Sequence, residues 1–187
     1  IRDTILRMLP YEARITRLEF EGPEIAIYVR DPRFLLEQGH IVAQIAKTIK
    51  KRVVIRTDPS IRKPKNEVRE YLKRIIPAEA GIEDIEFDDV LGEVIIKVRN
   101  PKLVQDKVNL ILVETGWRPR VVRAPPMRSR IYEEVIAGYL AESDYRLKFL
   151  RELGEAIHRD VLLAKNGNNY VRVTFLGGAQ EVGRSAI

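Results

Sequence analysis

Lys47, Lys50, Lys51, Arg52 and Arg56 lie within ten residues of one another, and Lys107, Arg118, Arg120 and Arg123 within seventeen. Side chains that stay cationic at neutral pH and crowd this closely hold phosphates well. The residue types that are missing exclude other chemistry. The 187 residues include no cysteine and only two histidines, His40 and His158, so disulfides, thiolate metal sites and a His-based metal centre lack ligands. Glu181 and Ser185 are hydrolase-type residues, but no base accompanies them in the sequence. His40 is expected on the surface of a loop, where it could stack on or bond to a base. His158 is expected to cap carbonyls near a helix end. Trp117, the sole tryptophan, is expected in a core or interface rather than as a stacking platform.

The net charge of +6 is unevenly spread. Residues 41–74 carry 11 cations and 3 anions, residues 75–106 carry 3 and 8, and residues 107–130 return to 6 and 1. Two basic blocks flanking an acidic one offer two docking places for a polyanion. No apolar run approaches the ~20 residues of a membrane span. The start, Ile1-Arg2-Asp3, lacks an initiator Met and the pattern of a signal peptide. The expectation is a soluble, cytoplasmic piece of a longer chain, with no membrane partner.

The elements that must position these cations recur. Ile15-Thr-Arg-Leu-Glu-Phe20 returns as Ile82-Glu-Asp-Ile-Glu-Phe87, Ile25 to Pro32 as Val94 to Pro101, and Lys51 to Arg56 as Pro119 to Arg123. A period near 68 residues is too long for a solenoid unit and fits duplicated small domains. In the first copy, alternation over Ile15–Phe20 and Ile25–Val29 predicts a hairpin turning at Glu21-Gly22-Pro23. A short helix opens at Pro32 with Asp31 as N-cap and is stopped by Gly39. A second helix buries Ile41, Val42, Ile45, Ala46 and Ile49, and Arg52–Arg56 closes the copy as a strand. The second copy predicts the same order, with a short helix from Pro101 and a helix from about Asn109 to Glu114 stopped by Gly116. Thr4–Leu9 and the stripe Val68, Tyr71, Leu72, Ile75 and Ile76 supply a helix ahead of each copy. The unit is α-β-β-α-α-β. Two further helical stretches follow Pro125-Pro126, and Tyr170 to Leu176 alternates as a strand.

This unit resembles a type II KH domain, a reader of single-stranded RNA and DNA. The resemblance implies an α+β fold with two tandem type II KH-like domains, residues 1–64 and 65–127, then a helical linker over 128–160. In that family a Gly-x-x-Gly loop between the short helices admits the nucleic-acid backbone. Here the loops are Gln38-Gly39-His40-Ile41-Val42, with one glycine, and Asp106-Lys107-Val108-Asn109, with none. Gly39 serves equally as a helix cap. The tail Gly177-Gly178-Ala-Gln-Glu181-Val-Gly183-Arg-Ser185 resembles the opening of metallo-β-lactamase/β-CASP ribonucleases, so 161–187 is expected to begin such a domain. The whole arrangement is similar to the archaeal homologues of the cleavage and polyadenylation specificity factor nuclease, which act in transcription termination.

That resemblance implies an amino-terminal fragment, catalytically inert, of a protein that cleaves transcript 3′ ends. Zinc is implied for the parent and no cofactor for this chain. Single-stranded RNA is the implied partner, contacted by Gly39, His40, Lys47, Lys50, Lys51, Arg52, Arg56, Lys107, Arg118, Arg120 and Arg123. RNA polymerase, elongation factors and a homodimer formed through the missing C-terminal part are further implied partners. The alternatives are a non-catalytic KH scaffold for dimerisation or polymerase contact, and a stand-alone factor resembling the bacterial elongation factor with paired KH domains.

Overall fold

The computed structural model describes residues 2–10, 14–37, 39–127 and 129–165. Among them an α-β-β-α-α-β order occurs first as α1 (Arg2–Met8), β1 (Ile15–Glu21), β2 (Glu24–Val29), α2 (Phe34–Glu37), α3 (Gly39–Ile49) and β3 (Arg52–Thr57). β2 is the central strand, antiparallel to β1 and parallel to β3. A parallel neighbour cannot be reached by a tight turn. The α2–α3 pair supplies the crossover. Its apolar face meets the sheet, so Ile45 and Phe34 join Ile25, Ile27, Val29, Val53 and Ile55 in one core, which Ile5 of α1 closes.

The second unit repeats this plan with α4 (Lys65–Ile75), β4 (Ile82–Asp88), β5 (Glu93–Val98), α5 (Val108–Thr115) and β6 (Arg118–Arg123). β5 is again central, antiparallel to β4 and parallel to β6. Val68, Leu72, Phe87, Val94, Ile96, Ile111 and Trp117 form its core, so the expected burial of Trp117 is observed. The helix expected at Pro101 is instead two 3₁₀ turns, Pro101–Leu103 and Gln105–Lys107, closed by Val104 N–H to Pro101 O at 3.1 Å and Lys107 N–H to Val104 O at 2.9 Å.

Strand register corrects the sequence alignment of the copies. Arg52 pairs with Glu24 at the start of β2 and Arg118 with Glu93 at the start of β5. Arg118 is therefore the counterpart of Arg52, two residues earlier than the Arg-Val-Val match suggests. By the same register Gly116 is the counterpart of Lys50. Both close a helix in the left-handed region, Gly116 at φ 72° and Lys50 at φ 54°. A side chain there costs about 1–2 kcal/mol. Lys50→Gly should raise the unfolding free energy by about 1 kcal/mol, read from denaturant midpoints; an unchanged or lower midpoint would refute the assignment.

The units are locked to each other. Lys63 N–H donates to Thr115 O at 2.9 Å, Trp117 Nε1–H to Lys63 O at 2.9 Å, and Arg62 Nη1 to Asp89 O at 2.7 Å. A Cβ on Gly116 would stand 2.6 Å from Ile61 O, so only glycine lets α5 end against the connector between the units. Arg56 lies in this join. Its guanidinium is buried, ion-paired with buried Glu21, and donates to Val90 O at 3.2 Å. Tyr28 O–H donates to the other Glu21 oxygen at 2.5 Å. Burial, reinforced by that carboxylate, pushes the Tyr28 hydroxyl above its usual pKa.

Two helices follow β6, α6 (Arg130–Ala141) and α7 (Ser143–Lys165). α7 is docked on the first unit along the edge strand β1. Gly22 N–H donates to Leu150 O at 2.7 Å, and a Cβ on Gly154 would lie 2.5 Å from the Phe20 carbonyl. Arg146 reaches the second unit, 2.9 Å from buried Asp88. His158 caps no carbonyl: it lies seven residues inside α7 and stacks on Phe20 at 4.4 Å, because α7 runs on to Lys165. The boundary expected at residue 160 falls inside this helix. The tail carrying Gly177 to Ser185, with Glu181, lies outside the described residues. Among the described residues no helix is long and apolar enough to cross a membrane.

Candidate nucleic-acid interface

Packing the crossover pair α2–α3 against a three-stranded sheet leaves a furrow between the α2–α3 corner and the edge strand β3. In the first unit this furrow is lined by Phe34, Leu36, Val42 and Val53–Ile55. Its opposite wall comes from the second unit, through Val108, Leu112, Arg118 and Pro119. The groove is open on one side, holds about 510 Å³, and its lining side chains are apolar apart from that of Arg118. An apolar trough suits unstacked bases, which shed water from their faces when they pack on carbon.

The predicted cations fall into three environments. The first is the strand end of the groove. Arg52 opens β3 directly before the lining residues, is exposed, and meets Glu24 at 3.0 Å. Arg118 opens β6, is exposed, and meets no carboxylate among the described residues. Lys51 is half-buried just before Arg52, and Lys47, Lys50 and His40 are exposed on and after α3. Gly39 is the first residue of α3, with Gln38 outside the described residues.

The second environment is the space between the second sheet and α6. Arg120 and Arg123 line the space beneath α6 together with Glu86, Tyr132 and Leu140, whereas Arg118 at the start of the strand lines the groove. Lys107 stands outside that space, half-buried directly before α5 and 3.0 Å from Asp106. The third environment is the interior. Arg56, expected to contact RNA, is 6% exposed and neutralised by Glu21 and Glu24, so it holds the units together and is removed from the interface. Sequence reasoning did not assign Leu36, Val54 or Leu112 to a groove. Their signal lay in packing between distant segments, which no local pattern encodes. Among the described residues no group of three or more His, Cys, Asp or Glu could hold a metal ion.

Residues 1–62 match the family model for the KH domain of transcription termination factor FttA. Over its full length the chain is 42% identical to transcription termination factor FttA of Thermococcus kodakarensis, 39% to that of Methanothermobacter thermautotrophicus and 34% to that of Cenarchaeum symbiosum. It spans 29–30% of the length of these relatives.

Proposed function

We propose, for a chain that belongs by homology along its whole length with the archaeal FttA transcription termination factors, that it is the RNA-holding region of such a factor. The observation that carries this reading is an apolar groove on the KH unit with cations around its strand end. The second unit shares its strand order and register, which supports reading it as a second KH domain, with 1–64 and 65–127 as the pair. In this reading cleavage of transcript 3′ ends, and the zinc that would serve it, belong to the part of the longer polypeptide beyond this chain.

RNA titrations on the full 187-residue chain test the proposal. Single-stranded RNA should bind with strong salt dependence, because phosphate contacts release counterions. Lys47→Glu with Lys51→Glu should weaken binding by about tenfold or more, and Arg120→Glu with Arg123→Glu by about threefold or less. Equal losses, or affinity indifferent to salt, would refute it. A protein-contact scaffold is the second reading. It draws on Met127, Ile131, Val135 and Tyr145, all more than 60% exposed on or beside α6 and α7, a surface suited to polymerase or self-association. Absence of RNA binding in the wild-type chain would favour it.

A further inference from the structure

Building on the RNA-binding reading, we infer that the second unit serves as the far wall of the first unit's groove, so that one single-stranded segment is held between the units with Arg118 as its phosphate clamp. Three observations carry this. The groove has two walls from different units, Val53–Ile55 on one side and Val108, Leu112 and Pro119 on the other. A base entering it packs on aliphatic side chains on both faces.

The second observation is the cation at its edge. Arg118 is the one charged side chain lining the groove. Its counterpart Arg52 is held by Glu24 at 3.0 Å, but Arg118 has no such carboxylate among the described residues and keeps its donors for an anion. The charge complementarity therefore selects a polyanion with apolar faces. A single-stranded nucleic acid fits, and an A-form duplex does not, because its bases are stacked and turned inward.

The third observation is rigidity. The residues immediately before Arg118 are fixed to the connector between the units: Thr115 O accepts from Lys63 N–H, Trp117 Nε1–H donates to Lys63 O, and Gly116 abuts Ile61 O. Trp117 is buried in the second core. Arg118 thus follows directly on an anchored backbone at the groove, and little backbone ordering remains to be done when RNA arrives. The shortage of loop glycines then has a consequence. The second unit's loop, Asp106–Asn109, need not admit a backbone of its own if that unit works as a wall.

The test uses the full 187-residue chain and a short single-stranded oligoribonucleotide carrying a photoactivatable thiouridine. Arg118→Ala should weaken binding by about five- to tenfold and lower the salt slope by about one, while Arg120→Ala, two residues along the same strand, changes affinity by less than about twofold. Melting temperatures should be equal for both variants, since both side chains are exposed. Cross-links should fall on both walls, within 52–57 and within 108–119. Wild-type chain that binds no RNA would sink the RNA-binding reading and this inference together. RNA bound with cross-links on the first unit alone, or with Arg118→Ala equal to wild type, would overturn the shared groove and leave RNA binding standing. Cross-links on neither wall would place the RNA outside the groove, and would overturn the shared groove too.

Discussion

Glu21→Ala should lower the unfolding free energy by about 3–5 kcal/mol. Glu21 is 2% exposed and faces Arg56, which is 6% exposed. Removing the carboxylate leaves a guanidinium buried with only Glu24, 3.7 Å away, as counter-charge. It also strips the Tyr28 hydroxyl of its acceptor. Adding Arg56→Met should recover part of the loss, because Met fills much of the arginine's volume and leaves no isolated buried charge. Recovery should be incomplete, since Val90 O then loses the donor it has in Arg56. Denaturant unfolding of the single and double variants decides the matter. A loss under about 1 kcal/mol for Glu21→Ala would show that the pair does not hold the structure together.

The other large effect is expected at Gly154, where a methyl group would meet backbone rather than a side chain that can turn away. The added Cβ would lie 2.5 Å from both the carbonyl carbon and oxygen of Phe20 and 2.9 Å from Glu21 N. Ala is the better helix former by about 1 kcal/mol. That gain is outweighed, because neither α7 nor β1 can yield without breaking the bond from Gly22 N–H to Leu150 O. Gly154→Ala should cost about 1–3 kcal/mol net. Hydrogen exchange gives the sharper reading. The Gly22 amide should lose protection when α7 lifts, while amides in β5 keep theirs. A more stable variant with Gly22 still protected would contradict the docking geometry.

Local pattern sufficed for the repeat and the order of its elements, because hairpins and amphipathic helices announce themselves over six to ten residues. It failed where two distant segments meet. Arg56 and Arg52 stand four apart on one strand and look alike in sequence, yet one is buried in an ion pair and the other exposed. The difference lies in Glu21 and Val90, 35 and 34 residues away. The pairing of the copies slipped by two residues for a similar reason. Arg-Val-Val recurs in both, but the strand register follows hydrogen bonds with β2 and β5, not the best local match. The groove was half legible. Val42 and Val53 could be placed on the first unit's elements, whereas Val108 and Leu112 reach it only through the docking of one unit on the other. His158 misled because nothing in sequence told that α7 would continue to Lys165.

The join between the units is heterologous: the first offers Arg56 and its outgoing connector, and the second offers the turn between its first two strands together with the end of α5. A head-to-tail contact of this kind uses different surfaces on the two sides, and so leaves the equivalent of each used surface open at the ends of the pair. On the first unit the open receptor is the turn around Gly22. Leu150 and Gly154 of α7 lie against that turn and the strand leading into it. α7 therefore covers on the first unit the surface equivalent to the one the second unit uses in the join, so that the pair presents no free copy of that turn.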